Sequence, residues 1–258
     1  MKIGIALGSG GAKGFAHIPY LQALDELGVN VDCISGTSMG AFLGAFYAGG
    51  MPAKEIHELA VNFGLSDMPK VITPAMFSKF GLVKGKKIED FLTKNLPVLR
   101  FEDLKIPLKI SATDYWNQKE YVFDSGDIVP AIRASISIPG VFQPYQYQGN
   151  LYIDGGMVNS VPFDLLTDAD FKIAIDVMED YDNEDKSIPG LIDVIIGSYF
   201  VMKKTIMDYR KNGSSVDIYR SPDLSKYHVL AFHKSEKVIK AVVDDVEEFK
   251  EEVTQLLL

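Results

Sequence analysis

The stretch that decides the fold is "VDCISGTSMGAFLGAFYAGG", residues 31–50. The apolar run "VDCIS" is predicted to form a strand, and "AFLGAFYAGG" is predicted to form a helix that stops at its two final glycines. "GTSMG" joins the strand to the helix, and a serine at the centre of such a turn projects its hydroxyl at the edge of a sheet. Ser38 is therefore a candidate nucleophile, with Gly36 and Gly40 allowing the strand to fold back onto the helix. The alternative interpretation is a structural turn that only needed small residues.

Outward from this turn, strand and helix patterns alternate along the chain. "KIGIAL" (2–7) is a predicted strand and residues 15–28 have helical apolar spacing, so the chain opens as β-α-β-α, which is typical of a parallel sheet flanked by helices. No linker divides the chain, and we predict a single α/β domain over residues 1–258, with the motifs in about residues 1–165. Further strands are predicted at 107–115, 119–126 and 171–177, and further helices at 52–64, 86–96, 127–137, 191–211 and in the C-terminal tail.

A glycine-rich loop, "GSGGAKG" (8–14), lies between the first strand and the first helix. Such loops point backbone N–H groups at an anion. If Ser38 reacts, this loop on the neighbouring strand is well placed to form an oxyanion hole, with Lys13 reinforcing or ordering it. A plain tight turn is one alternative. A dinucleotide site is another, but the third glycine of that fingerprint would fall at Lys13, and no acidic ribose ligand ends the next strand.

A nucleophilic serine requires a base, and the chain has four histidines, His17, His57, His228 and His233. None of them has a distinctive sequence setting. Asp154 is the better candidate, because "YIDGGMVNSVP" ends an apolar run with a carboxylate followed by two glycines. An aspartate beside a serine in a dry pocket can accept its proton directly. The alternative is an Asp-Gly turn between strands.

Composition limits the partners and the compartment. The formal net charge of −9 argues against nucleic acid as the main partner, because phosphate binding needs a basic surface. Cys33 is the single cysteine, which fits a reducing compartment. The first residues contain no apolar core of a signal peptide, and no apolar run is long enough to span a bilayer. We expect a cytoplasmic location, with any membrane contact transient and tied to substrate access. Oligomeric state is not readable from the sequence.

Two further segments have alternative interpretations. Residues 64–85 could form a lid over an apolar channel, or a surface loop whose aromatic residues complete the core. The helix predicted at 191–211 could touch a membrane through Tyr199 and Phe200, although packing against the sheet or a partner is the favoured interpretation. The residues that suggest the lid are Met68, Met76, Phe77 and Phe80, with Gly81 and Gly85 allowing movement.

Together, "GSGGAKG", "GTSMG" and "IDGG", in this order and spacing, resemble the motifs of the patatin-like phospholipases. The segment "RASISIPGVFQP" (133–144) also resembles the stretch that precedes the catalytic aspartate of that family. The resemblance covers most of residues 1–165. It implies a three-layer α/β/α fold and a Ser38–Asp154 dyad that needs no histidine.

The resemblance also implies the rest of the site. The oxyanion hole falls on Gly10, Gly11 and Ala12, Lys13 takes the cationic position of the loop, and Ser9 stands where the family often has glycine. The implied substrate is an acyl-ester lipid, with no metal and no cofactor. The alternative is a non-catalytic acyl-lipid-binding or regulatory protein on the same fold.

Overall fold

A computed structural model of the chain describes residues 1–62, 83–178, 188, 190–213 and 215–257. Of the segment 64–85 predicted as a lid, Val83, Lys84 and Gly85 lie within this part of the chain, whereas Met68, Met76, Phe77, Phe80 and Gly81 lie outside it. The strands are β1 (Ile3–Leu7), β2 (Cys33–Thr37), β3 (Leu108–Asp114), β4 (Lys119–Phe123), β5 (Tyr145–Tyr147), β6 (Asn150–Asp154), β7 (Phe171–Ile175) and β8 (Ile218–Arg220). The α-helices are α1 (His17–Glu26), α2 (Met39–Ala48), α3 (Ala53–Asn62), α4 (Lys86–Asn95), α5 (Ile128–Ser135), α6 (Leu191–Lys211), α7 (Ser235–Ala241) and α8 (Val243–Leu257).

Two of the predicted helices differ in detail from the observed ones. The segment predicted as one helix over 15–28 begins in a 3₁₀ helix, Gly11–Ala16, and becomes α-helical only at His17. The glycine-rich loop therefore runs directly into tightly wound backbone. The C-terminal helical pattern is divided into α7 and α8 at Val242.

The strands form one eight-stranded sheet in the order β5-β6-β3-β2-β1-β7-β8, with β4 also paired to β3. The pairs β1–β2, β2–β3, β1–β7 and β7–β8 are parallel. β4 and β6 both run antiparallel to β3, and β5 runs antiparallel to β6. The predicted mostly parallel sheet is confirmed, with its antiparallel part at one end.

Both faces of the sheet are covered, as the alternation along the central strands shows. On β1, Ile5 and Leu7 point into the larger core, whereas Ala6 points into a separate core on the opposite face. The larger core takes in residues of α1, α2, α5, α7 and α8, and the smaller one includes Val161 and Met207 of α6. These two cores confirm the three-layer α/β/α arrangement.

The edge of β3 determines which residues meet at the carboxyl end of the sheet. β4 pairs with the C-terminal half of β3 on one edge, so β2 and β6 must share the other edge. β2 pairs as far as Thr37 opposite Ser111, and β6 takes over at the next residue, with Asp154 opposite Ala112. Asp154 therefore lies just beyond the end of β2, at the point where Ser38 leaves the strand.

Helix α6 confirms the helix predicted over 191–211. Phe200 is buried in the larger core, whereas Tyr209, farther along the helix, is 79 % exposed. Within the described residues, no helix is both long and apolar enough to cross a membrane.

Gly40 brings α2 close against the end of β1, and its replacement tests the packing of α2 on β1. A Cβ at this position would overlap the Leu7 carbonyl and come within 2.7 Å of the Gly8 carbonyl oxygen, and neither backbone atom can move without disturbing the sheet. We expect Gly40→Ala to lower the free energy of unfolding by roughly 3 kcal/mol or more.

Gly44→Ala on the same helix is the matched control, because its Cβ would meet only side-chain carbons at 3.3 Å and beyond. We expect that substitution to change stability by less than about 1 kcal/mol. Urea denaturation of both variants measures the difference. Equal stabilities would show that the contact between α2 and β1 is looser than described.

Candidate active site

Ser38 lies in the turn between β2 and α2, in a backbone conformation that residues other than glycine rarely adopt. Its φ is 55° and its ψ is −118°, and it is the N-cap residue of α2. A Cβ on Gly36 would lie 2.7 Å from the backbone nitrogen of Ala41, so the turn leaves no room for a larger residue there. Strained conformations of this kind cluster at functional sites, because the surrounding structure must hold them. This is the nucleophile elbow geometry.

The hydroxyl of Ser38 and the carboxylate of Asp154 are in direct contact. Ser38 Oγ donates a hydrogen bond to Asp154 Oδ2 at 2.8 Å. The Gly156 N–H donates to Asp154 Oδ1 at 2.8 Å, and Thr113 Oγ1 donates to the Asp154 main-chain oxygen at 2.8 Å. Both members of the pair are buried. The carboxylate is therefore fixed by its own loop and by β3, with one oxygen facing the serine.

Ser135 holds the backbone of Ser38, and the sequence analysis did not assign it a role. Its Oγ accepts a hydrogen bond from the Ser38 N–H at 2.8 Å and donates one to the Ser111 carbonyl at 2.7 Å. The residue lies at the end of α5, inside the segment "RASISIPGVFQP". A serine in a helix beside the motif was the only available signal, and nothing local distinguishes it from a packing residue.

Arg133, at the start of that segment, is fully buried and organises it. Its guanidinium donates to Ser137 Oγ at 2.8 Å and to the carbonyls of Lys84 and Gln143 at 3.0 and 3.1 Å. Its guanidinium carbon also lies 5.5 Å from the centre of the Phe142 ring, a cation–π distance. The segment 133–144 is thus shaped around one buried cation.

The glycine-rich loop presents free backbone donors at the same site. The N–H groups of Gly10 and Gly11 have no acceptor among the residues that the structure describes. Gly11 has a φ of +51°, and a Cβ there would overlap the Val229 carbonyl. Ala12 departs from the expectation, because its N–H donates to the Val229 carbonyl at 2.7 Å and is already engaged. Lys13 is buried; its ordering role remains a prediction.

Burial controls the ionisation of Asp154. Removal from water raises its pKa to about 6, although the hydrogen bonds from Ser38 and Gly156 and the positive charge of Lys203 oppose this rise. Lys203 itself is buried and donates to Asp176 Oδ1 at 3.0 Å. The pKa of Asp154 thus lies a little below neutral pH.

The histidines do not contact the pair. In the described part of the chain, none of the four hydrogen-bonds to Ser38 or Asp154. His17 is fully buried, with Nε2 at 2.8 Å from the Gly8 carbonyl, and burial lowers its pKa to about 4. It is therefore a neutral group that supports the glycine-rich loop. No group of three or more metal-ligating side chains is present in the same described ranges.

Two cavities meet at Ser38, and their walls differ in character. The dyad cavity is lined by Asp154 and by Ser9, Gly10 and Gly11 of the glycine-rich loop. The apolar cavity has almost entirely hydrocarbon walls. Ser38, Gly11 and Ile138 border both. The other residues of the apolar cavity are Met39, Phe42, Ile88, Ile136, Phe142 and Phe232.

The family model described as patatin-like phospholipase matches residues 5–167, which contain all the motifs above. The chain belongs to this family. VipD from Legionella pneumophila shares the fold, with a TM-score of 0.64, 14 % sequence identity, and coverage of 97 % of this chain and 66 % of that one.

Curated relatives extend the comparison. An NTE family protein of Mycobacterium tuberculosis, Rv1063c, is 36 % identical over 67 % of this chain and 48 % of its own length. Lysophospholipase NTE1 of Saccharomyces cerevisiae is 26 % identical over 94 % of this chain but only 16 % of its own length. The chain thus spans about half the length of the mycobacterial relative and a small part of the yeast one.

The raised pKa of Asp154 predicts a pH-dependent effect on stability. The folded-state pKa of about 6 lies above the ordinary value of 3.8. The carboxyl group therefore favours the folded state below about pH 4, and this contribution is lost as pH rises through 6. Asp154→Asn removes the titration. We expect wild type to gain about 2 kcal/mol in unfolding free energy relative to this variant between pH 7.5 and pH 4.

Urea denaturation of both proteins across this range measures the difference between them, so that other titrating groups cancel. A constant difference would show that Asp154 titrates normally and that the carboxylate is better solvated than its burial indicates.

Proposed function

We propose that this chain is a serine acyl hydrolase of lipid esters, with Ser38 as nucleophile and Asp154 as general base. The observation that carries the proposal is the 2.8 Å hydrogen bond from Ser38 Oγ to Asp154 Oδ2, made in a buried site. Family membership and a relative named lysophospholipase support the lipid ester as substrate. The fold alone would not, because one fold supports many chemistries.

The proposed reaction has two halves. In the first, Ser38 Oγ bonds to the ester carbonyl carbon while its proton moves to Asp154, and the carbonyl oxygen becomes an oxyanion facing the N–H groups of Gly10 and Gly11. The C–O bond to the alcohol then breaks, and the leaving oxygen takes the proton from Asp154. In the second half, water gives a proton to Asp154 as its oxygen bonds to the acyl carbon; the bond from that carbon to Ser38 Oγ then breaks, and Oγ takes the proton from Asp154, which releases the acid and restores both residues. Another alcohol in place of water would give acyl transfer.

The ionisation of Asp154 suits both directions of this proton transfer. A pKa of about 6 leaves the group mostly ionised at neutral pH, so that it is ready to accept the serine proton. The same value makes its protonated form acidic enough to return the proton to the leaving oxygen. General acid–base catalysis is most efficient when the pKa lies near the working pH.

The apolar cavity supplies a place for the acyl chain. It opens at Ser38 and is walled by the aromatic rings of Phe42, Phe142 and Phe232. Each methylene moved from water into such a site contributes about 0.8 kcal/mol. With the acyl chain in this cavity, the alcohol part of the ester would lie in the dyad cavity beside Asp154.

Covalent labelling tests the dyad directly. We expect a fluorophosphonate probe to form a stoichiometric adduct on Ser38 of the wild type, located by intact mass and peptide mapping. Ser38→Ala should give no adduct, and Asp154→Asn should react at least about 100-fold more slowly because the serine loses its base. Hydrolysis of a p-nitrophenyl ester should fall in parallel.

Ser135→Ala removes the anchor of the Ser38 N–H but leaves both dyad side chains in place. Labelling of this variant therefore measures what the anchor alone contributes. No adduct on a folded wild type, repeated with detergent and with lipid vesicles, would contradict the proposal. The non-catalytic acyl-lipid-binding protein would then be the better interpretation.

Chain-length preference tests the apolar cavity. Phe42→Ala should enlarge it and shift the acyl chain of highest kcat/KM to longer chains by about two to four carbons, because more methylenes would leave water. The measurement is kcat/KM over a series of p-nitrophenyl esters from four to sixteen carbons.

Phe46→Ala is the matched control. Phe46 is on the same helix, is equally buried and lies against Phe42 with ring centres 5.4 Å apart, but it does not border the cavity. We expect that variant to lose stability without changing the preference. A shift of the same size in both variants, or in neither, would place the acyl chain elsewhere.

A further inference from the structure

Helix α6 brings one polar side chain into the dyad cavity, from outside the residues that the family model matches. Tyr199 borders this cavity together with Ser38 and Asp154, and its ring packs against the larger core. The family match ends at residue 167, whereas α6 begins at Leu191. Neither the motifs nor the mechanism above gives this hydroxyl a role.

The Tyr199 hydroxyl lies close to the loop that carries Asp154. A Cβ atom on Gly156 would overlap this hydroxyl, and it would also come within 2.9 Å of Asp154 Oδ1 and 3.2 Å of Ser9 Oγ. The three oxygen atoms therefore surround one small space that only glycine leaves open. This close contact is a steric reason for glycine at position 156.

The hydroxyl is held in place by a buried partner. Tyr199 and Ser9 are hydrogen-bonded through their side chains, and Ser9 Oγ lies 2.6 Å from Ser160 Oγ. The Ser9 N–H also donates to the Ser160 carbonyl at 2.8 Å. Ser9 stands at the loop position that is often glycine in the family, so its hydroxyl links the glycine-rich loop to α6.

The charges around Tyr199 keep it protonated. Burial, and after it the negative charges of Asp154 and Asp176, raise the pKa of the phenol above its ordinary value. Lys203, one turn farther along α6, is occupied by its ion pair with Asp176. The nearby His17 is neutral at ordinary pH. Tyr199 therefore offers an O–H donor at neutral pH and does not act as a base.

We propose that Tyr199 donates a hydrogen bond to the leaving-group oxygen of the ester in the dyad cavity, and so favours substrates with poorly leaving alcohols such as glycerol. The inference rests on the proposed function. The proton that the departing oxygen acquires still comes from Asp154, and Tyr199 keeps its own. Its hydrogen bond stabilises the negative charge that develops on that oxygen as the C–O bond breaks.

Two esters with the same acyl chain separate this role from a structural one. Glycerol is a poor leaving group, whereas p-nitrophenolate leaves without assistance, so only 1-octanoylglycerol should depend on the donor. Since kcat/KM reports acylation, we expect Tyr199→Phe to lower it about 10- to 100-fold for 1-octanoylglycerol and less than about 3-fold for p-nitrophenyl octanoate. The control is Tyr209→Phe, which removes a hydroxyl from the exposed side of the same helix and should alter neither value.

Ser9→Ala provides a second route to the same result if Tyr199→Phe melts at a much lower temperature than wild type. It retains the phenol but removes its partner. We expect it to lower kcat/KM more for 1-octanoylglycerol than for p-nitrophenyl octanoate, and by less than Tyr199→Phe does. Equal losses on both esters, or none, would overturn the inference.

Fluorophosphonate labelling of Ser38 in every variant distinguishes this outcome from failure of the proposed function. Normal labelling with no difference between esters would count against Tyr199 alone. Absence of labelling in the wild type would contradict the proposed Ser38–Asp154 dyad itself.

Discussion

One edge of β3 is shared by two strands of opposite direction, and the candidate site depends on this arrangement. β2 pairs with the first part of the edge, as far as Ser111 of β3. β6 pairs with the rest, from Ala112 to Asp114 of β3. Ser38 and Asp154 are 116 residues apart in sequence but meet at this junction through a direct hydrogen bond. A shift of β6 by one residue would turn Asp154 to the other face of the sheet, because side chains alternate along a strand. The register of β6 is therefore a requirement of the site.

The same junction buries a carboxylate, and the surrounding groups reduce the cost of this burial only in part. The Gly156 N–H, the Ser38 hydroxyl and the charge of Lys203 favour the ionised form, yet burial outweighs them and the pKa of Asp154 stays raised. The fold thus holds an ionised carboxyl group that would be more stable protonated. Stability given up at a site in this way is common where function needs a reactive group. It also explains why the carboxylate is fixed by so many neighbours.

The sequence predicted the parts of the site that depend on local geometry. Gly36, Ser38 and Gly40 are recognisable because a strand–turn–helix junction imposes strict steric demands within five residues, and Asp154 because two glycines follow it. Ser135 and Tyr199 were not predicted as site residues, since each reaches the site from a segment distant in sequence and lies in an ordinary helical pattern. Ala12 shows the opposite error. Its place in the loop suggested a free N–H, but Val229, far along the chain, already accepts it.

The two halves of the chain therefore contribute differently to the site. Residues 5–167 supply the proposed nucleophile, the proposed base and the glycine-rich loop, and they form the part that the family model matches. The later residues close the site, because Val229 anchors the loop, Lys203 adds charge and Phe232 walls the apolar cavity. Tyr199 belongs to the same group. The first half therefore supplies the reacting groups and most of the apolar cavity, including Phe42 and Phe142, whereas the second half adds Tyr199 and Val229 to the walls of the dyad cavity. If Tyr199 binds the leaving oxygen as we propose, the alcohol part of the ester is selected by the second half of the chain and the acyl chain chiefly by the first.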